Sequence, residues 1–363
     1  MKTPRTSRYA MIMAGGAGKR LWPMSRPDRP KQLLPLIDGT SLIQLAAQRL
    51  DGVVQPSHRL VCTGERHRDA VRLALPAFTD AQILGEPVGR DTVNAVGLTA
   101  AVLHARDPDA VFAVLTSDHL IEPPAEFVRA MDVGFTLVEN DPRRFVTFAI
   151  EPTRPATGFG YVERGEPIDG YPGAFHALQF VEKPDAATAQ EYLDAGTFGW
   201  NSGMFVFHAG RFMAALDSFL PPSAAGLRRV AAAWNTPDAA AVLAEVYPTL
   251  EATSVDYGVM EPAARDDELV VCCVPMAVKW RDVGSWPSYG ETLKPDANEC
   301  RTHGRAIHID GRNVLAVADD PDHLIATVGC RDLIVVHTSD VTMVCPVEAA
   351  EDVKKLAEAA GRD

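Results

Sequence analysis

Five short apolar runs, at residues 9–13, 59–63, 81–84, 111–116 and 145–150, are each of strand length. Segments of helical spacing separate them, at 41–50, 66–75, 94–105 and 126–139. Two strands with a helix between them cannot close as a tight hairpin; the chain crosses over and lays them parallel. The pattern predicts an α/β domain with a Rossmann-like, mixed and mainly parallel sheet flanked by helices. Runs that are apolar throughout, rather than alternating, suit strands covered on both faces.

The second half is more mixed. Residues 175–181 and 203–207 read as strands, 185–195 and 209–219 as helices, and an alanine-rich helical stretch over 223–246 is interrupted near Pro237. After about Lys294 the texture changes: AIHI, VLAVA, LIATVG, LIVVHT and VTMVC follow one another with turn residues between them, the mark of a small all-β region. The tail, 347–360, reads as a helix. The expected division is therefore 1–294 and 295–363.

Composition removes several classes of function. The 363 residues carry a formal net charge of -13, which argues against a general nucleic-acid surface, because such binding rests on neutralising phosphates. The N-terminal apolar stretch is too short for a secretion signal and runs into glycines. No apolar run approaches the length of about eighteen residues that a membrane helix needs. The six cysteines show no CxxC pair or zinc spacing and are expected to be reduced thiols, so the expected location is the cytoplasm.

Against this acidic background the segment MIMAGGAGKRLWPMSRPDRPKQLLPL, residues 11–36, is conspicuously basic. A Walker A loop is excluded, since Gly18-Lys19 is followed by Arg20 and the first-glycine position holds Met13. A GxGxxG reading from Gly16 and Gly18 fails at Leu21. What both motifs share survives: glycines directly after a strand let backbone N–H groups approach an anion, and neighbouring Lys or Arg adds charge. In an α/β sheet that position is the carboxyl end of the strand, where ligands bind. A tight turn with solvated basic residues is the plainer alternative.

The stretch Gly15 to Pro23, followed by Pro30-Lys31-Gln32-Leu33, resembles the signature of the sugar-1-phosphate nucleotidyltransferases, in the version associated with mannose 1-phosphate and GTP. The resemblance continues, in the family's order, through LTSDH (115–119), FVEKP (180–184), WNSGM (200–204), SVDYGVME (254–261) and DVGSW (282–286). It implies an enzyme joining mannose 1-phosphate to GTP with release of pyrophosphate. Two anions must then meet in line, so cations must screen and align them, and Mg²⁺ with one or two carboxylates suits that work.

The resemblance assigns the metal to Asp118 and Asp282, each of which could instead cap a helix. It gives the triphosphate to the backbone of Gly15, Gly16 and Gly18 with Arg20 and Lys31. Lys183 would take the sugar phosphate, and Glu182, Asn201 and Gly160 the sugar. Glu86, Arg90, Asp91 and Thr92 resemble the loop near the base, although Val93-Asn94-Ala95 replaces the usual Ala-Pro-Ala, and Phe159 stands where tyrosine is usual. The C-terminal region is similar to a short left-handed β-helix often used in dimerisation, which is compatible with a homodimer, and a single activity is expected. Two other readings fit the same blocks: a thymidylyl- or uridylyltransferase acting on glucose 1-phosphate, and a non-catalytic regulator that binds nucleotide sugars.

Overall fold

In the computed structural model of the chain, residues 7–16 and 18–361 are described, so Ala17 of the glycine cluster lies outside them. Seventeen strands are assigned among these residues. They are β1 (Arg8–Ala14), β2 (Arg59–Gly64), β3 (Ile83–Glu86), β4 (Val111–Thr116), β5 (His119–Glu122), β6 (Arg144–Ile150), β7 (Tyr161–Pro167), β8 (Phe175–Val181) and β9 (Phe198–His208). The remainder are β10 (Val270–Pro275), β11 (Lys279–Asp282), β12 (Arg301–His303), β13 (Arg305–Ile309), β14 (Arg312–Ala318), β15 (Leu324–Val328), β16 (Arg331–His337) and β17 (Thr342–Pro346).

The chain clusters into two compact units. The first holds the residues up to Gly15, Ala46–Ser117 and Ile121–Trp280; the second holds Gly16–Leu45, Asp118–Leu120 and the residues from Arg281 onward.

The first unit is built on one nine-stranded sheet in the order β3-β2-β1-β4-β9-β6-β10-β8-β7. Its leading strands β3, β2, β1 and β4 pair in parallel, with helices at Arg68–Ala74 and Asp91–Arg106 as crossovers, as the alternation of periods predicts. β9 runs antiparallel to β4 and β6, and β10 lies parallel to β6. In the helix Asp91–Arg106, Val93 to Ala101 and Leu103 are buried, and its apolar members share a core with Phe205, Phe207, Phe212, Leu216 and Leu227. Phe145 and Phe212 flank Phe207 at 4.9 and 4.8 Å between ring centroids.

Two boundaries differ from expectation for local reasons. The strand expected at 81–84 begins at Ile83, because Thr79 and Gln82 form a capping box that holds Asp80–Gln82 in a 3-10 turn. The strand expected at 203–207 is the second half of the longer β9.

In the second unit β12-β14-β16-β17 form one sheet and β13-β15 another. The pairs β12–β14, β14–β16 and β13–β15 are parallel. Parallel partners that recur 14 to 19 residues further along the chain, shared between two sheets, are the geometry of a winding β-helix, and the antiparallel pair β16–β17 ends it. The unit's core joins Leu21, Met24, Leu34 and Leu36 of the basic segment to Leu315, Val317, Ile334 and Val336 of β14 and β16. Trp286 donates its indole N–H to the Trp22 carbonyl at 2.9 Å, and Tyr289 donates its hydroxyl to the Leu36 carbonyl at 3.2 Å.

Candidate functional site

The two aspartates assigned by resemblance to a metal are brought together in the second unit. Asp118 lies between β4 and β5 with no helix after it, and Asp282 ends β11, so neither caps a helix. The next helix, Trp286–Gly290, is capped by Ser285, whose hydroxyl accepts from the Ser288 N–H. Ligand atoms of Asp118, His119 and Asp282 all lie within 4.8 Å of one another. Lys31 Nζ sits 2.5 Å from Asp118 Oδ2.

Burial works against the Asp118 anion, but Lys31 and then His119 outweigh it and hold the carboxyl at about 2. Asp282 goes the other way: burial first, then the neighbouring Asp118 charge, raises it above the ordinary carboxylate range. Asp282 Oδ1 is buried without a hydrogen-bond partner among the described residues. An unsatisfied buried carboxylate oxygen facing a second carboxylate fits a hard divalent cation.

The glycine turn is shaped around the same lysine. Gly18 has φ +59 and begins the 3-10 turn Lys19–Leu21, and a Cβ placed there would come within 2.7 Å of Lys31 Cβ. Only glycine permits both the left-handed backbone and that approach. The remaining charges of the segment meet acids of the C-terminal part of the unit: Lys19 with Glu358, Arg20 with Glu351, Arg26 with Asp340 and Arg29 with Asp319, at 2.9 to 3.1 Å. Arg20 also places Nη2 3.2 Å from where a Cβ on Gly284 would stand, beside Asp282.

In the first unit Gly160, Glu182, Lys183 and Asn201 converge. A Cβ on Gly160 would collide with Glu182 Oε2, and the Asn201 N–H donates to the Gly160 carbonyl at 2.8 Å. Lys183 pairs with Glu182 and holds a left-handed φ of 48. Burial disfavours its charge, but the hydrogen bond and charge of Glu182 outweigh that and raise its pKa. Asn201 lies inside β9 rather than in a turn. Its Oδ1 accepts from Thr147 Oγ1 (2.9 Å) and the Gly203 N–H (3.1 Å), and its Nδ2 donates to Asp256 Oδ1 at 2.8 Å.

Asp256 is therefore part of this cluster, a member the residue-by-residue reading overlooks although it lies in SVDYGVME. Burial, then the adjacent Glu182 charge, pushes its carboxyl up to about 7. Phe159 meets Trp280 and Trp200 edge-on at 4.9 and 5.2 Å; the position needs a ring, and this contact uses no hydroxyl.

The loop from Glu86 to Thr92 forms a third group, also in the first unit. Glu86 closes β3, and Tyr247 donates its hydroxyl to Glu86 Oε1 at 2.7 Å. Arg90 donates to the Pro248 carbonyl, Asp91 Oδ1 accepts from the Thr92 N–H, and Thr92 Oγ1 accepts from the Val255 N–H. Asn94, the departure from Ala-Pro-Ala, has a job of its own: its amide donates to the Arg90 and Glu251 carbonyls. Gly15 stands 3.9 Å from Glu86 Oε2, measured from the Cβ it lacks.

A glycine turn at the carboxyl end of a central parallel strand stands where α/β proteins of mainly parallel sheet bind their ligands. The chain belongs to the nucleotidyl transferase family, whose pattern matches residues 9–299; residues 304–359 match the MannoseP isomerase/GMP-like beta-helix domain.

A mannose-1-phosphate guanylyltransferase of Escherichia coli (strain K12) is 38% identical over 358 residues, which are 96% of this chain and 73% of that protein. The alginate biosynthesis protein AlgA of Pseudomonas aeruginosa is 35% identical, over 95% of this chain and 70% of that one. A crystal structure from Thermus thermophilus, described as a mannose-1-phosphate geranyltransferase, matches with a TM-score of 0.85 and 30% identity, over 98% of this chain and 99% of that one. Among the described residues no helix is long and apolar enough to cross a membrane.

Proposed function

We propose that the protein condenses α-D-mannose 1-phosphate with GTP to give GDP-mannose and pyrophosphate. The observation that carries this reading is the cluster of Lys31, Asp118 and Asp282, in which the Lys31 ammonium pairs with one carboxylate and the other keeps a buried oxygen without a donor among the described residues. The names of the relatives supply the sugar and the base. Asp118 and Asp282 would hold Mg²⁺, with His119 beside them; when bound, the ion screens phosphate charge and favours in-line alignment.

A phosphate oxygen of the sugar phosphate attacks the α-phosphorus of GTP, and the bond from that phosphorus to the bridging oxygen of the β-phosphate breaks. Pyrophosphate leaves with the electron pair. The attacking phosphate is already ionised at neutral pH, so no side chain needs to remove a proton. Charge neutralisation and positioning carry the rate, as in other phosphoryl transfers.

The N–H groups of Gly15, Gly16 and Gly18 approach the triphosphate, with Arg20 and Lys31 as counter-charges. Lys183 meets the sugar phosphate, Glu182 accepts from sugar hydroxyls and Gly160 leaves room for the ring. Asn201 serves the same group through its bond to Asp256. Glu86 faces the base, and Arg90, Asp91 and Thr92 hold that loop in shape. A cytoplasmic location suits these substrates.

A homodimer is proposed through the face of β13 and β15. Ile307 and Ile309 on one strand and Leu324 and Val328 on its parallel neighbour are exposed together, and the register puts them on one side. Ile309→Asp should shift a dimer to monomer in light scattering.

A panel of sugar 1-phosphates and nucleoside triphosphates, read by pyrophosphate release with Mg²⁺ and with chelator, tests the activity. Mannose 1-phosphate with GTP should give the highest kcat/KM, abolished by chelator. A preference for dTTP or UTP with glucose 1-phosphate, or tight GDP-mannose binding without turnover, would overturn it.

A further inference from the structure

Glu86 is an unusual residue to find at the end of a core strand: 7% exposed, it has no cationic partner among the contacts of the described residues. Its carboxylate is flanked by two neutral groups that carry protons. Tyr247, itself fully buried, donates to Oε1 at 2.7 Å, and the buried Cys62 thiol beside the carboxylate favours its ionised form. Burial raises both donor groups well above their ordinary pKa, so each keeps its proton. Burial also raises Glu86, while the two donors pull it back toward the ionised form.

Tyr247 does not act alone. The whole segment that follows it is stitched to the loop that follows Glu86. Pro248 takes the Arg90 guanidinium and the Glu251 carbonyl takes the Asn94 amide. The Thr253 carbonyl takes the Val93 N–H, and the Val255 N–H reaches Thr92 Oγ1. Residues 247–255 thus form a second wall for the Glu86 loop, and Tyr247 is its only side chain that reaches the carboxylate among the bonds described. On the other side, Glu86 Oε2 lies under Gly15, at the start of the glycine turn.

We propose that Tyr247, backed by the Cys62 thiol, is a positioning residue for base choice: it fixes the Glu86 carboxylate so that this group accepts from the adjacent N1–H and 2-amino donors of a purine. A carboxylate offers acceptors only, so it matches an edge with two neighbouring donors and rejects one that presents an acceptor there. Without the Tyr247 hydroxyl the carboxylate loses its orientation and the main donor that favours its ionised form, and discrimination falls more than catalysis. The proposal rests on the assignment of Glu86 to the base and names the residues behind it.

The test compares GTP with ITP, which lacks only the 2-amino group, in the full-length protein and in Tyr247→Phe, Cys62→Ala and Glu86→Gln. Tyr247→Phe should keep kcat within about twofold, raise KM for GTP about tenfold and raise KM for ITP much less, compressing the GTP:ITP preference. Cys62→Ala should shift it in the same direction by less, and it also serves if Tyr247→Phe does not fold. Thermal unfolding separates these effects from a structural role, which would lower the melting temperature and leave the preference intact. A collapsed preference in Glu86→Gln with an unchanged one in Tyr247→Phe and Cys62→Ala would overturn the proposal and leave Glu86 as the base reader. An unchanged preference in Glu86→Gln would remove the base assignment, and the role of Tyr247 with it.

Discussion

Lys31 Nζ lies 2.5 Å from Asp118 Oδ2, and the lysine is the less exposed partner, at 12% against 22%. The pair accounts for an aspartate that stays ionised although burial opposes it. Lys31→Met leaves a largely buried carboxylate without its counter-charge. Turnover should fall about a hundredfold or more, and the melting temperature should fall with it. Lys31→Arg should restore most of the stability and little of the rate, because a planar fork does not replace a compact ammonium. Pyrophosphate release and thermal unfolding on the same samples measure both.

Asp282→Asn should separate stability from activity. The substitution removes one of two carboxylates crowded in the same cluster, so the variant should melt at a higher temperature than the parent. Its turnover should drop about a hundredfold or more, since a carboxylate assigned to the metal is gone. An active variant with an unaltered Mg²⁺ dependence would defeat that assignment.

Asp256 should leave a signature in the pH dependence of stability. Its carboxyl titrates at about 7 in the fold, against roughly 3.9 in an unfolded chain. The folded state therefore binds the extra proton between those values. Its contribution is complete below the unfolded pKa and is lost as pH rises through the folded one, up to about 4 kcal/mol in all. Asp256→Asn keeps an acceptor for Asn201 and cannot ionise. The melting temperature of the variant relative to the parent should rise steadily from pH 4 to pH 8; a constant difference would contradict this.

Gly160→Ala should act on one substrate only. The new methyl group would displace Glu182 Oε2 and crowd Asn201. KM for the sugar phosphate should rise about tenfold or more while KM for the nucleotide stays within about twofold. Equal changes in both would show that the substitution disturbs the fold rather than the sugar group.

Much of the scaffold is readable because period is a local property. The runs at 9–13, 59–63 and 111–116 are mainly apolar and strand-length, and they form the parallel centre of the sheet. Val270–Pro275 is not among the expected strands although VVCCV is an apolar run of strand length; its pairing with β6, more than a hundred residues earlier, leaves no mark in the local sequence. The glycine turn, Asp118 and Lys183 are legible as blocks, since a short motif carries its own spacing.

What spacing cannot record is a partner. Tyr247 ends an alanine-rich helical stretch with nothing around it to mark it, and its hydroxyl meets Glu86 161 residues earlier. Asn94 reads as a departure from a familiar tripeptide until its amide is seen closing on Glu251. Nor does any local signal assign Gly16–Leu45 to the same compact unit as the residues from Arg281 onward.

That last grouping bears on how the protein can be shortened. Lys19, Arg20, Arg26 and Arg29 find their counter-charges on Glu358, Glu351, Asp340 and Asp319, and Leu21 and Met24 find their apolar neighbours on β14 and β16. A chain cut before Arg301 would keep every sequence block of the nucleotidyl transferase signature and still strip the glycine turn of its foundation, leaving unbalanced cations over wetted leucine and methionine. The C-terminal strands are in this sense a keel: remote from the signature in the linear chain, and what the glycine turn stands on once the chain is folded.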